Sequence, residues 1–318
     1  MRATWSSCAM TANARRYAGP IIDSHHHLWD LSLGRHPWIA QASVGALGDI
    51  RYLQQDYLIA DLLKDMAGQG VTGSVHVEAL WDRARDPVEE TRWLEGLERP
   101  GRIAGRYIAH VPLAAGDAEA VLERHLAASP RIAGLRETIR WHPDPAKRWT
   151  DSGILSNPLW RRNLGLLRRH GLVLELLMNP YQARELAELA AAHPDQMFIV
   201  NHCGSPLDRD EAGLQRWRDG LRAMAAQPNI AIKLSNASAY APSAAVADLR
   251  QVILPIIEAF GPGRALFGTD YPVARRTITY AAICDSLREI LLPFSEAEQR
   301  AIFHDNAARL YGFSGQDQ

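Results

Sequence analysis

Two histidines one residue apart close an apolar run, Ile21-Ile22-Asp23-Ser24-His25-His26-His27-Leu28-Trp29. On an extended strand successive side chains point to opposite faces, so His25 and His27 share one face and His26 takes the other. Two imidazoles on one face can grip a divalent ion or the oxygens of a single substrate. Asp270 ends a second run, Arg264-Ala265-Leu266-Phe267-Gly268-Thr269. A carboxylate there can ligate a metal or take a proton from water. His202 ends Phe198-Ile199-Val200-Asn201, and Arg136 follows Gly134-Leu135 with a planar fork suited to a carboxylate or a polarised carbonyl. Glu175 lies inside Leu172-Val173-Leu174-Glu175-Leu176-Leu177, where a carboxylate is costly to bury unless it is metal-bound or paired with Arg136 or Lys233. Glu78, Lys233 and Ser235 fall at the ends of further apolar runs.

Each of these residues also has a plainer use. Asp270 suits a helix N-cap, Arg136 a salt bridge to Glu137 or Glu175, and His202 a hydrogen-bonded place in the core. Their common registration with the ends of apolar runs favours chemistry over a scatter of unrelated roles.

The elements that must position them alternate regularly. Short apolar runs at 20–26, 73–79, 103–111, 132–136, 172–177, 197–201, 230–235 and 264–268 read as strands. Amphipathic segments at 60–66, 87–97, 117–127, 158–170, 182–192, 214–225, 244–260, 280–291 and 296–311 read as helices. This is an α/β pattern, and eight strands match a single-domain (β/α)8 TIM barrel, whose site lies at the C-terminal strand ends. The expected organisation is a poorly ordered extension over 1–19, the barrel over 20–313 and a tail over 314–318. Long connections at 28–57 and 137–151 carry Trp29, Trp38, His142 and Trp149, which suit pocket walls. His125, His170 and His193 fall in or at the ends of helices and read as surface residues.

Composition narrows the partners. The 318 residues include 35 basic and 36 acidic side chains, a net charge of −1, which lacks the basic footprint of a nucleic-acid binder and any draw toward anionic membranes. No stretch approaches the roughly 20 apolar residues that span a bilayer. Three scattered cysteines, Cys8, Cys203 and Cys284, form no disulfide framework and fit a reducing compartment, so a cytoplasmic protein acting on a small molecule is expected. A homodimer is compatible with this reading.

Taken together, Ile22-Asp23-Ser24-His25-x-His27-x-Trp29, Gly134-Leu135-Arg136, Asn201-His202-Cys203-Gly204-x-Pro206, Ile232-Lys233-Leu234-Ser235, Phe267-Gly268-Thr269-Asp270-Tyr271-Pro272 and Asn306-Ala307-x-x-Leu310-Tyr311 resemble the amidohydrolase superfamily. Within it they resemble the amidohydrolase 2 branch, which includes sugar-lactone and 2-pyrone-4,6-dicarboxylate lactonases. The resemblance implies a hydrolase that opens a lactone, with Asp270 as general base, His202 and Arg136 assisting, and His25 and His27 near the reacting oxygen. It also implies one divalent ion, zinc or manganese, on His25, His27, Asp270 and Glu175, although members of this branch include metal-independent lactonases. Glu78, Trp29, Trp38, Lys233, Ser235, His142 and Tyr271 are expected to meet substrate. The alternative in the same branch is a metal-dependent non-oxidative decarboxylase or hydratase of an aromatic or unsaturated acid. Those decarboxylases place a histidine at the fifth strand, where this chain has Glu175. No lysine on the fourth or fifth strand is placed to bridge two metals.

Overall fold

The computed structural model describes residues 15–41 and 49–313. Eight parallel strands follow one another around a barrel in chain order: β1 Ile21–His26, β2 Val71–Val77, β3 Arg102–Ala109, β4 Ile132–Thr138, β5 Val173–Leu177, β6 Phe198–Val200, β7 Ile230–Lys233 and β8 Ala265–Leu266. The helices between them are α1 Ile59–Met66, α2 Val88–Glu95, α3 Ala118–Ala128, α4 Pro158–Arg169, α5 Ala183–Ala192, α6 Glu211–Ala225, α7 Val246–Phe260 and α8 Tyr280–Ile290. Local chemistry sets their starts. Asn157 accepts from the Leu159 and Trp160 amides with Pro158 in the first helical position, and Thr279 accepts from the Ala282 amide.

The eighth strand is shorter than its apolar run. The Phe267 amide donates to Ile302 O at 2.9 Å, which takes it out of the ladder. Ile302 belongs to a π turn, Ala301–Asp305, that divides the helix expected over 296–311 into Glu296–Arg300 and Asn306–Tyr311. Beyond β8 the chain still closes the barrel. The Asp270 amide donates to His25 O at 2.7 Å and the His27 amide to Tyr271 O at 2.8 Å.

A buried carboxylate clasps this seam. Asp23 Oδ1 accepts from the backbone amides of His25 and Thr269, both at 3.0 Å, and Oδ2 accepts from the Thr269 hydroxyl at 2.6 Å and the Tyr280 hydroxyl at 3.0 Å. Inside the barrel Ile22, Val75, Val77, Ile108, Val173, Ile199, Ala231 and Leu266 pack together. Ala307, Tyr311 and Phe313 join this interior cluster and stopper the end opposite the mouth.

The extension expected over 1–19 falls mostly on residues 1–14, outside the described residues. Of the remainder, Tyr17 is buried, stacks on Phe303 and donates to Pro20 O at 2.7 Å. His125 is not on the surface: it is buried, with Nδ1 on the Thr91 hydroxyl at 2.8 Å and Nε2 on His110 O at 3.1 Å. Among the described residues no helix is long and apolar enough to cross a membrane.

Replacing Asp23 with Ala strips four donors of their acceptor at the seam. The expected outcome is a loss on the order of 3 kcal/mol of unfolding free energy in urea titration. A loss within 0.5 kcal/mol would show that the clasp is dispensable.

Candidate active site

At the barrel mouth the Asp270 carboxylate is ringed by imidazoles. Its Oδ1 lies 3.2 Å from His27 Nε2, 3.5 Å from His25 Nε2 and 3.8 Å from His202 Nε2. The backbone is bent to achieve this. His202 and Asp270 hold positive φ, at 49° and 61°, as do Leu80 after β2 and Asn236 after β7. For non-glycine residues that conformation costs roughly 1–2 kcal/mol each, and four such residues follow strand ends at this mouth.

Secondary contacts fix the rings. His27 Nδ1 faces Val77 O at 2.7 Å, so that nitrogen carries a hydrogen and Nε2 is turned to Asp270. His202 Nδ1 lies 2.9 Å from the Ser235 hydroxyl, which also receives the His202 backbone amide at 3.3 Å. Arg136 is buried and its fork grips Glu78, through Nε on Oε1 at 2.8 Å and Nη2 on the backbone oxygen. Arg83 reaches the other Glu78 oxygen at 3.0 Å.

Burial pushes the Asp270 carboxyl up, but the facing His202, His27 and Arg136 outweigh it and hold it below the usual carboxylate range. Burial drives the His202 imidazole down to about 3 against the pull of Asp270, and drives His25 down as well, helped by Lys233. Glu78 falls to about 2, because Arg136 and Arg83 overcome its burial. The directions favour the charged form of Asp270 and the neutral forms of His25 and His202.

These groups open on a cavity of about 990 Å³, part of it open to solvent, with His27, His202, Asp270, Arg136 and Trp38 in its wall. Sequence reading had not singled out Arg140, Asn236, Tyr240 and Arg276, which line it too. Asn236 lies three residues beyond β7 and Arg276 six residues beyond Asp270, so the signal is proximity to strand ends rather than an apolar run.

Several expected contacts are redirected. Glu175, expected as a metal ligand, instead accepts from Lys233 Nζ at 2.6 Å, Tyr311 at 2.8 Å and Asn201 at 2.8 Å. Lys233, expected to meet substrate, is fully buried on Glu175 and Ser24 O. Trp29 is buried with its Nε1 on Gln55 O at 2.7 Å, and Tyr271 packs against Tyr57 and Tyr280 at the seam. Glu78 and Ser235 act on Arg136 and His202, whereas Trp38 lines the cavity with its Nε1 on Ala79 O.

His142 also turns from the cavity. The Asp144 amide donates to its Nδ1 at 2.9 Å, so its Nε2–H donates to Asp208 at 3.1 Å. Lys147 and Tyr181 reach the same carboxylate at 2.7 and 2.8 Å. Asp208 thereby pins the loop after β4, which carries Arg140 and Trp149 stacked with 4.9 Å between the guanidinium carbon and the ring centre.

The donor set fits a metal ion. Among the described residues His25, His202 and Asp270 offer ligand atoms within 4.8 Å of one another. His25 Nε2 is buried without a hydrogen-bond partner. Two imidazole nitrogens and a carboxylate oxygen suit zinc with an open position.

A barrel with this mouth is matched by the family model described as Amidohydrolase, of the amidohydrolase 2 type, over residues 22–313, and the chain belongs to that family. It is 32% identical to an uncharacterised protein, y4mH, of Sinorhizobium fredii over 92% of this chain and 98% of that one. It is 29% identical to an L-fucono-1,5-lactonase of Burkholderia multivorans, over 91% of this chain and 95% of the relative. The crystal structure of a Burkholderia multivorans amidohydrolase with bound zinc superposes with a TM-score of 0.74 at 26% identity, covering 92% of this chain and 99% of that one. The chain is an amidohydrolase-family protein built as a TIM barrel.

Asp208→Ala should free the loop after β4. Limited trypsin digestion is expected to cut at Lys147 or Arg148 several-fold faster than in the unaltered protein, with the rest of the barrel equally resistant. Equal cleavage rates would mean that other contacts hold the loop.

Proposed function

We propose that this protein hydrolyses a lactone, with Asp270 as general base. The observation that carries the reading is a buried carboxylate held 3.2–3.8 Å from three imidazoles at the head of a cavity shared with Arg136. The L-fucono-1,5-lactonase relatives at 29% and 25% identity support it.

In this reading water attacks the ring carbonyl carbon as Asp270 takes its proton. Oxygen charge that builds on the carbonyl meets the Arg136 guanidinium, which Glu78 holds in place, and the imidazole edges. Collapse breaks the ring C–O bond, and the departing alkoxide receives the proton back from Asp270. Net, one water is added and one carboxylic acid and one hydroxyl are formed. A divalent ion, when bound, would be held by His25, His202 and Asp270 and would polarise the carbonyl and acidify water. The Arg136, Arg140 and Arg276 side chains suit a substrate rich in hydroxyl or carboxylate oxygens, and Trp38, Trp149 and Tyr240 offer faces for its ring. The decarboxylase alternative draws no support from the fifth strand, where Glu175 is committed to Lys233.

A panel of aldonolactones and pyrone carboxylates, followed by acid release, tests the proposal. At least one member should turn over, and Asp270→Asn should lower its kcat by roughly 10²–10⁴. Full activity in that variant, or a panel with no turnover above background, would sink the reading.

The pH profile gives a second check. Because the folded Asp270 lies below its ordinary value, the base stays ionised on going from neutral pH to about 5 and is lost only as pH falls through the lowered value. An acid limb in kcat/KM is thus expected below about pH 4. A limb centred near pH 6 on a stable enzyme would assign the base to another group.

A further inference from the structure

Asn236 stands in the cavity wall with an uncommitted carboxamide. Its neighbours there have partners within the protein: Trp38 donates to Ala79 O, Tyr240 to the Ser205 hydroxyl, and Arg136 to Glu78. Asn236 is half-buried, and among the described residues its side chain makes no hydrogen bond. It precedes a short turn, Ala237–Ala239, in the place where an asparagine ordinarily accepts from the amides of the turn, yet it does not cap it.

Backbone alone does not account for the residue. Its φ is 55°, a region asparagine tolerates better than most residues with a β-carbon. That favours asparagine over alanine, but glycine adopts the region at lower cost. Asn236 also borders a second space behind the strand ends, lined chiefly by Leu234, Leu249, Ile253, Phe267 and Ile283. Those side chains offer an amide no partner, so the cavity it shares with Asp270 is where its hydrogens and its carbonyl oxygen can find one.

The chemistry of the missing partner follows. A carboxamide both donates and accepts, as a hydroxyl does, whereas a carboxylate only accepts and suits the guanidinium groups of Arg140 and Arg276 in the same wall. The residue before Asn236, Ser235, holds His202 Nδ1 at 2.9 Å, and His202 Nε2 lies 3.8 Å from Asp270. We propose, resting on the lactone reading above, that Asn236 is a specificity-determining residue whose carboxamide hydrogen-bonds a ring hydroxyl of the substrate. The substrate is then a hydroxylated lactone.

Aldonolactones and their monodeoxy analogues test this on the unaltered protein and on Asn236→Gly, with acid release corrected for the uncatalysed rate. Glycine removes the amide and keeps the backbone conformation, so the variant is expected to stay folded. In the unaltered protein, loss of one particular hydroxyl should lower kcat/KM roughly 5- to 10-fold, the scale of one hydrogen bond between uncharged partners. In Asn236→Gly the parent lactone should fall by a similar factor, while that deoxy analogue keeps its rate. An equal loss for every substrate, or no loss for any, would overturn the proposal. Faster turnover of pyrone carboxylates, which have no ring hydroxyl, than of every aldonolactone would overturn it and leave the lactone reading in place.

A binding arm decides the case in which no lactone turns over and the lactone reading falls. Anhydrohexitols carry ring hydroxyls and no ester bond, and fluorescence of Trp38 and Trp149 in the cavity wall reports their entry. Binding to Asn236→Gly should be weaker by a similar factor. Equal affinity in the two proteins, or binding to neither, would sink the assignment.

Discussion

One ammonium inside the barrel governs much of what surrounds it. Lys233 has no solvent, and an isolated charge there would cost several kcal/mol even after relaxation. Glu175 neutralises it across the barrel at 2.6 Å, and the remaining lone pairs of Glu175 draw in Asn201 from the end of β6 and Tyr311 from the C-terminal helix. A pair of this kind seldom adds net stability over well-packed apolar residues. What it adds here is order, since four elements have to agree on position before the charges are satisfied.

The sequence carried the fold well and the site unevenly, for physical reasons. Strand and helix periodicity is a local signal, and eight apolar runs alternating with amphipathic segments left little freedom in architecture. The end of β8 was less legible because a distant carbonyl, Ile302 O, competes for the Phe267 amide. Grouping His25, His27, His202, Arg136 and Asp270 needed only the rule that barrel chemistry sits at the C-terminal strand ends. Deciding what Glu175 does needed to know that Lys233, 58 residues on, points at it, and periodicity holds no such information. The plainer ion-pair reading of Glu175 was the one the fold adopted. Trp29 shows the opposite error: an aromatic residue beside a site is as useful for holding a loop as for touching substrate, and its Nε1 is spent on Gln55 O. Arg140 and Arg276 reach the cavity from loops, where no repeat pattern announces direction.

Electrostatics divides the mouth into two layers. The lower one, Asp270 with its imidazoles, is buried and fixed by partners such as Ser235 and Val77. The upper one is cationic, set on the loops after β4 and β8, and tied down by the Asp208 cluster at its edge. In the proposed reading the reacting groups sit at strand ends and the groups that meet substrate on loops, a division that would let substrate range drift while the reacting groups stay in place.

The seam at Asp23 has one more consequence. The groups it brings together are separated by almost the whole chain: His27 and Asp270, which touch, lie 243 residues apart, and Asp23 and Thr269 lie 246 apart. During synthesis His25 and His27 leave the ribosome long before their carboxylate exists. The hydroxyl that completes Glu175 comes later still, from Tyr311. A barrel still lacking its last strand would have an open, partly unsatisfied interior, the kind of state most exposed to misassembly. Asp270 and Tyr311 both come from the C-terminal part of the chain, so a chain that lacks them has neither a complete mouth nor a satisfied Glu175.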